Sequence, residues 1–344
     1  MVRRALLTPV LLLGLIATAP LSSQATPNLM SRSELAVATP VRATVQLSLV
    51  SPDGLSIRRL TDDPGAVSGI VWAPDGRRIA FVYESRGTRQ IRLAARGGPA
   101  PRPLTSLPGD NFSPGWSPDG RRIVFISSRA GGRHIFVMNS DGSRIRQVTR
   151  TGAYRGVSWS PDGRHLAAVA ERPAGEDLDL YVMRPNGGDR RRVSAAPLIP
   201  RPGMMHPAWS PDGGRLAYVS RVGQAEQEIT IVSVDGRTRR RLSTGYAPAW
   251  SPDGTRLAFV VARVGDAQIY VANADGARPR RLTPGRGIFL LPAWAPDGAA
   301  IAFVAIRDGD LAVAVMRTDG SGERRLVSTT GDLTGLPLFA WRPR

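Results

Sequence analysis

The sequence predicts an all-β fold, a seven-bladed β-propeller of four-stranded antiparallel blades, and three observations carry this reading. Trp-Ser-Pro-Asp-Gly or Trp-Ala-Pro-Asp-Gly occurs six times, at Trp72, Trp116, Trp159, Trp209, Trp250 and Trp294, and a seventh tryptophan, Trp341, stands three residues from the end. Successive tryptophans are 44, 43, 50, 41, 44 and 47 residues apart. A period of this length, with one aromatic and tight-turn glycines per unit, marks a propeller, solenoid or array. Between the tryptophans, short apolar runs alternate with turn residues, the signature of hairpin-linked strands.

Along the chain, residues 1–25 read as a secretory signal. Arg3 and Arg4 precede an apolar run from Ala5 to Ala19, and Ser23-Gln24-Ala25 is a small-x-small cleavage site. The run is short for a membrane span, which leaves no transmembrane span in the mature chain; an uncleaved anchor is the alternative. Residues 26–32 form a short lead, and residues 33–344 form the propeller. The unit at Trp116 shows the blade pattern. Pro114 to Ser117 is the first strand and Pro118-Asp119-Gly120 a turn, in which proline presets φ and glycine supplies a backbone that a Cβ would disfavour. Ile123 to Ile126 is the second strand, Ser127 to Arg133 a loop and Ile135 to Met138 the third strand. Ser140-Asp141-Gly142 is the next turn and Arg146 to Thr149 the fourth strand. Both faces of such a meander are apolar, so neighbouring blades must cover them.

Before the first Trp, Leu35, Leu47 and Leu60 align with Ile123, Ile135 and Val148 at a constant offset of 88 residues. The N-terminus thus supplies strands two to four of a blade whose first strand is Leu338-Phe339-Ala340-Trp341. Pairing of the two ends would close the ring and remove its edges. A six-bladed ring with loose ends is the alternative.

The chain carries 46 arginines and no lysine against 28 acids, a net charge of +18. Such a balance suits polyanions, but an exported protein rarely meets nucleic acid, so none is expected as a partner. Absence of cysteine excludes disulfides and thiolate metal sites.

The units from Trp72-Ala73-Pro74-Asp75-Gly76 through Trp294-Ala295-Pro296-Asp297-Gly298 resemble the WD-repeat-like Pro-Asp propellers of the TolB family. The resemblance covers about residues 33–344. It implies the propeller fold and, by analogy with TolB, a periplasmic protein that binds an envelope partner. TolB also carries an α/β domain, for which no segment here is long enough. Similar repeats occur in peptidase propeller domains and in oligogalacturonate lyases.

The Pro-Asp-Gly turns share one face of the disc and are nearly uniform, whereas the blade-to-blade loops opposite vary. Function is therefore expected on the loop face. Candidate partner contacts are Arg201, Met204, Met205 and His206 in the longest loop, with Phe112, Tyr154, Arg155, Tyr246, Arg286 and Phe289. A second candidate is a basic rim, Arg58, Arg102, Arg146, Arg191, Arg240, Arg280 and Arg324, which either protects the outer edges or docks a polyanion. The enzyme evidence is thin. His134, His165 and His206 fall at different places in the strand register, so no metal site or other cofactor is expected. An acidic pair such as Asp110 with Asp332 is the one catalytic alternative. The expectation is an exported, monomeric, non-catalytic scaffold that binds an envelope protein or polysaccharide. The alternatives are a carbohydrate-active lyase or hydrolase with an acidic site at the channel mouth, and a basic docking module for anionic envelope polymers.

Overall fold

The computed structural model describes residues 33–41, 44–106, 108–172, 177–198, 207–222, 226–329 and 339–343. Residues 1–32, the loop residues Arg201, Met204, Met205 and His206, and Asp332 lie outside the described residues. Among the described residues every regular element is a β-strand, and no helix is long and apolar enough to cross a membrane.

The strands form four-stranded antiparallel meanders. The first holds β1 (Leu35–Val41), β2 (Thr44–Val50) and β3 (Ile57–Arg59). The second holds β4 (Ala66–Trp72), β5 (Arg78–Ser85), β6 (Thr88–Ala95) and β7 (Arg102–Pro103). The third runs β8 (Asn111–Trp116), β9 (Arg122–Ser127), β10 (His134–Asn139) and β11 (Arg146–Gln147). The fourth runs β12 (Tyr154–Trp159), β13 (Leu166–Glu171), β14 (Leu178–Met183) and β15 (Arg191–Arg192). The fifth contains β16 (Ala208–Trp209), β17 (Arg215–Val222), β18 (Glu226–Ser233) and β19 (Arg239–Thr244). The sixth contains β20 (Tyr246–Trp250), β21 (Arg256–Arg263), β22 (Asp266–Asn273) and β23 (Arg280–Arg281). The last contains β24 (Ile288–Trp294), β25 (Ala300–Arg307), β26 (Asp310–Arg317) and β27 (Arg324–Thr329). The C-terminal strand β28 (Phe339–Trp341) pairs antiparallel with β1, Leu35 opposite Trp341 and Val37 opposite Phe339. Neighbouring meanders touch by single parallel bridges, Val45 with Ala66 and Ala267 with Ile288.

Repeated local chemistry shapes each unit. In the turn after Trp116, Ser117 Oγ donates to Asp119 Oδ1 at 2.5 Å, which also accepts Arg121 N–H at 3.0 Å. Gly120 takes φ +66° there. The repeated aspartates thus tie their own turns, as short polar side chains do. Several outermost strands are shorter than their sequence suggests: β11 ends at Gln147, not Thr149, whereas β19 and β27 run six residues each. The Thr149 hydroxyl instead accepts Ile135 N–H at 2.9 Å, so a side chain replaces the backbone ladder. Thr61, Thr105, Ser194 and Thr283 do the same for Leu47, Ile91, Leu180 and Ile269.

The core lies between meanders. Trp116, Ile123 and Phe125 of the third pack on Ala73, Ala80 and Ile91 of the second. Leu35, Val37 and the half-buried Trp341 pack on Ala300, Ala302 and Val313 of the last. At most joints the indole N–H bonds backward. Trp116 donates to Val71 O (3.3 Å), Trp250 to Ala208 O (3.1 Å), Trp294 to Ala249 O (3.1 Å) and Trp341 to Ala293 O (2.9 Å). Trp72 donates to Ala340 O at 3.1 Å. Trp209 uses Ser158 Oγ, while Trp159 Nε1 is buried without a partner among the described residues. Arg78, Arg122, Arg215 and Arg256, six residues past one Trp, lie 4.7 to 5.1 Å over the next, adding a cation–π contact.

Candidate functional site

On the loop face, a cleft lies at the connector between the fourth and fifth meanders. Its described stem runs back between two strands. Leu198 bridges Leu178 at the start of β14 and Ser220 near the end of β17. Leu198 N–H donates to Leu178 O at 2.8 Å, and Arg221 N–H donates to Pro197 O at 2.8 Å. Leu198 is 7% exposed, so it anchors the stem by burial as well as by hydrogen bonds. Below it, Ala195, Tyr218, Arg221, Glu228, Thr230 and Arg241 are among the residues lining a cleft of about 440 Å³. That volume is in the range of small-molecule and side-chain pockets. Its base is fixed by Tyr218, which accepts Ala195 N–H at 3.3 Å and whose hydroxyl pKa is pushed up by burial. Its rim is charged. Arg241 Nε is 3.6 Å from Glu228, and Arg221 Nη2 is 3.0 Å from Asp177.

Beside this cleft lies a charged cluster that the sequence reading missed. The Asp179 side chain is only 5% exposed. Burial alone would raise its carboxyl, but hydrogen bonds from Arg172 (2.9 Å) and Ser194 (2.9 Å), with the charges of Arg172 and Arg192, hold it below the usual range. An acid at that position was detectable: Gln46, Gln90 and Gln268 occupy it elsewhere, bonded to the Thr of the neighbouring strand.

The other expected contacts do not form one patch. Tyr154 and Phe289 are fully buried and Tyr246 is 7% exposed, so all three serve the core, correcting their placement as surface anchors. The reason is that the inner strands begin earlier than the motif suggests, with bulges at Tyr154/Gly156, Tyr246/Ala249 and Leu290/Ala293 that turn these rings inward. Phe112 is half-buried under Arg89, whose guanidinium lies 4.6 Å from the ring. Arg155 and Arg133 share Glu171. Arg286 is exposed. Asp110 is held by Arg89, through its N–H (3.0 Å) and Nη2 (2.7 Å). Burial opposes ionisation of Asp110, yet the Arg89 hydrogen bonds keep its carboxyl below the usual value. Such a carboxylate is a poor proton donor near neutrality. His134 begins β10, and His165 lies beside the Pro-Asp-Gly turn of the fourth meander, toward the opposite face. Among the described residues, no group of three or more His, Cys, Asp or Glu could hold a metal ion.

The family model of the TolB beta propeller domain matches residues 99–198 and 200–339. The chain belongs to this family. Among solved structures, a putative TolB from Agrobacterium tumefaciens is similar at 24% identity and TM-score 0.53, over 70% of this chain and 93% of that one. An oligogalacturonate lyase from Vibrio parahaemolyticus is similar at 15% identity and TM-score 0.62, over 80% and 83%. A puromycin-hydrolyzing peptidase from Mycobacterium tuberculosis is similar at 18% and TM-score 0.66, over 93% of this chain but 57% of that one. At these identities the likeness concerns the fold alone.

The TolB-like propeller also explains the arginine rim. Arg58, Arg102, Arg146, Arg191, Arg240, Arg280 and Arg324 each sit on the outermost strand of a blade. Most turn sideways onto the next blade. Arg102 Nη1 donates to Asp141 O (3.1 Å), Arg146 Nη2 to Pro185 O (3.2 Å), Arg191 Nη2 to Val234 O (3.0 Å) and Arg280 Nη1 to Asp319 O (2.7 Å). Arg58 donates to Arg96 O, and Arg324 Nη1 to Asp53 O at 3.3 Å. These guanidiniums fasten neighbouring blades while remaining partly solvated, so the rim has a structural task whatever else it does.

Proposed function

We propose that this chain is an exported, monomeric, seven-bladed propeller, closed by β28, that acts as a non-catalytic binding scaffold through its loop face. Closure is supported by the pairing of β28 with β1 and by the tryptophan bonds on both sides of it. Export is supported by the charged, apolar and small-residue pattern of residues 1–25. The binding reading rests on one observation: the described stem of the longest connector is stitched into both neighbouring blades by Leu198, and its Ala195 and Ala196 line the 440 Å³ cleft. A rigid stem carrying a variable tip limits the ordering cost of association. The tip includes Arg201, Met204, Met205 and His206, and methionines provide an adaptable apolar surface. The resemblance to TolB favours an envelope protein as partner over a polysaccharide.

The test is capture from envelope extract at low and high salt, with residues 199–206 replaced by a Gly-Ser linker as the control. A protein retained at high salt by the native chain and lost with the linker variant supports the reading. Retention independent of the loop, or turnover of uronate oligomers by the native chain, overturns it.

A further inference from the structure

The turn face, opposite the loop face, carries an open joint between blades. A cavity of about 360 Å³ lies between the fifth and sixth blades, and Arg215, Thr238, Arg239, Arg240, Ala274 and Asp275 are among its lining residues. Arg240 stands opposite Ile231, in the register that Arg102, Arg146 and Arg280 keep opposite Leu93, Val137 and Val271. Register therefore does not distinguish it. Those three, with Arg58, Arg191 and Arg324, donate to carbonyls of the next turn. Arg240 makes no such bond among the described residues, and Ala274 and Asp275, which occupy the acceptor positions, line the cavity with it.

The charge of the cavity is unbalanced. Arg215, Arg239 and Arg240 line it with one acid, Asp275, whose Oδ1 is already accepting Ala277 N–H at 2.9 Å; Asp212, outside the lining, lies 3.8 Å from Arg215 Nη2. Two of the arginines are held in place. The Arg215 guanidinium lies 4.7 Å over the Trp250 ring, and Arg239 Nε donates at 3.3 Å to Val193 O, which belongs to the fourth blade. Among the described residues, no hydrogen bond occupies the donor fork of the exposed Arg240. A planar fork in a concave, cationic setting matches the paired oxygens of an oxyanion.

We propose that this cavity is a binding site for a phosphate group, free or carried on a sugar-sized ligand, with Arg240 as its bidentate donor. The volume exceeds that of a bare ion and accommodates an attached ring of monosaccharide size. The proposal does not rest on the loop-face reading: the two cavities share Arg239 in their linings, but Arg240 lines this one and not the loop-face cleft.

Titration of the full chain with inorganic phosphate and with glucose 6-phosphate, at fixed ionic strength, tests the proposal. Binding of either by the native chain, weakened about tenfold or more in Arg240→Gln, supports it. Tighter sugar-phosphate than phosphate binding indicates a carried group; equal binding indicates the free ion. Arg280→Gln removes a bonded rim arginine of the same charge and should leave the affinity within about twofold, which separates local recognition from overall charge. Absence of binding by the native chain, an Arg240→Gln affinity within about twofold of native, or equal weakening in Arg280→Gln overturns the proposal.

Discussion

Replacing Trp341 tests the seam that would close the ring, and its cost can be worked from the structure. Trp341→Phe keeps an aromatic ring and removes the indole bond to Ala293 O at 2.9 Å. Loss of one partly buried neutral hydrogen bond costs about 1 kcal/mol. Trp341→Ala also removes a half-buried ring from the cluster of Leu35, Val37, Ala300 and Val313. A fully buried tryptophan truncation costs about 3–5 kcal/mol, so a half-buried one should cost about 2–3. Trp250→Phe is the internal standard, since Trp250 makes the same bond to Ala208 O at 3.1 Å in an internal joint. Urea denaturation at neutral pH gives the midpoints, and unchanged slopes would show that the exposed surface on unfolding is conserved. If both Trp341 variants stay within about 0.5 kcal/mol of native while Trp250→Phe loses about 1, then β28 bears no load and the closed ring is refuted.

Three other outcomes follow from the same geometry. Asp179→Asn should cost about 2–3 kcal/mol at neutral pH, because Arg172 and Arg192 lose a buried carboxylate, read from denaturation midpoints. Because the folded carboxyl lies below its unfolded value, near 3.9, its contribution is complete above that pH and fades as pH falls through the folded value; the native and Asp179→Asn curves should converge in acid. Arg280→Gln should lower stability by less than about 1 kcal/mol, since its bonds to Asp319 O and Thr318 O are solvent-exposed, and added salt should shrink the difference. Leu198→Asp should loosen the connector stem, seen as faster amide exchange at Leu198 and Arg221, by placing a charge in a buried apolar position between β14 and β17.

Much of the scaffold was legible because it is repeated. A Trp every 41 to 50 residues and turns of Pro-Asp-Gly give the unit, and the 88-residue offset locates strands before the first Trp. The inward-facing Ile123, Ile135 and their counterparts, all fully buried, follow from strand period alone. The site was less legible. Tyr154, Tyr246 and Phe289 looked like loop aromatics because the motif begins after them, yet bulges in the inner strands carry them into the core. The cleft at the stem of the longest connector depends on Tyr218, Glu228 and Arg241, which belong to three different strands and share no motif.

By itself, then, the sequence determined the strand pattern, the turn chemistry and the matching of the chain ends, since each depends on periodicity or on residues adjacent in the chain. Only the tertiary structure decided what the arginines do. The arginines recur at like places in each unit, but whether a guanidinium meets a carbonyl, an indole or an open cavity depends on the neighbouring blade, some forty residues away. Arg280 meets Asp319 O and Arg215 meets Trp250, whereas Arg240 meets a cavity. Contacts of that kind are set by how blades pack, and no local pattern encodes them.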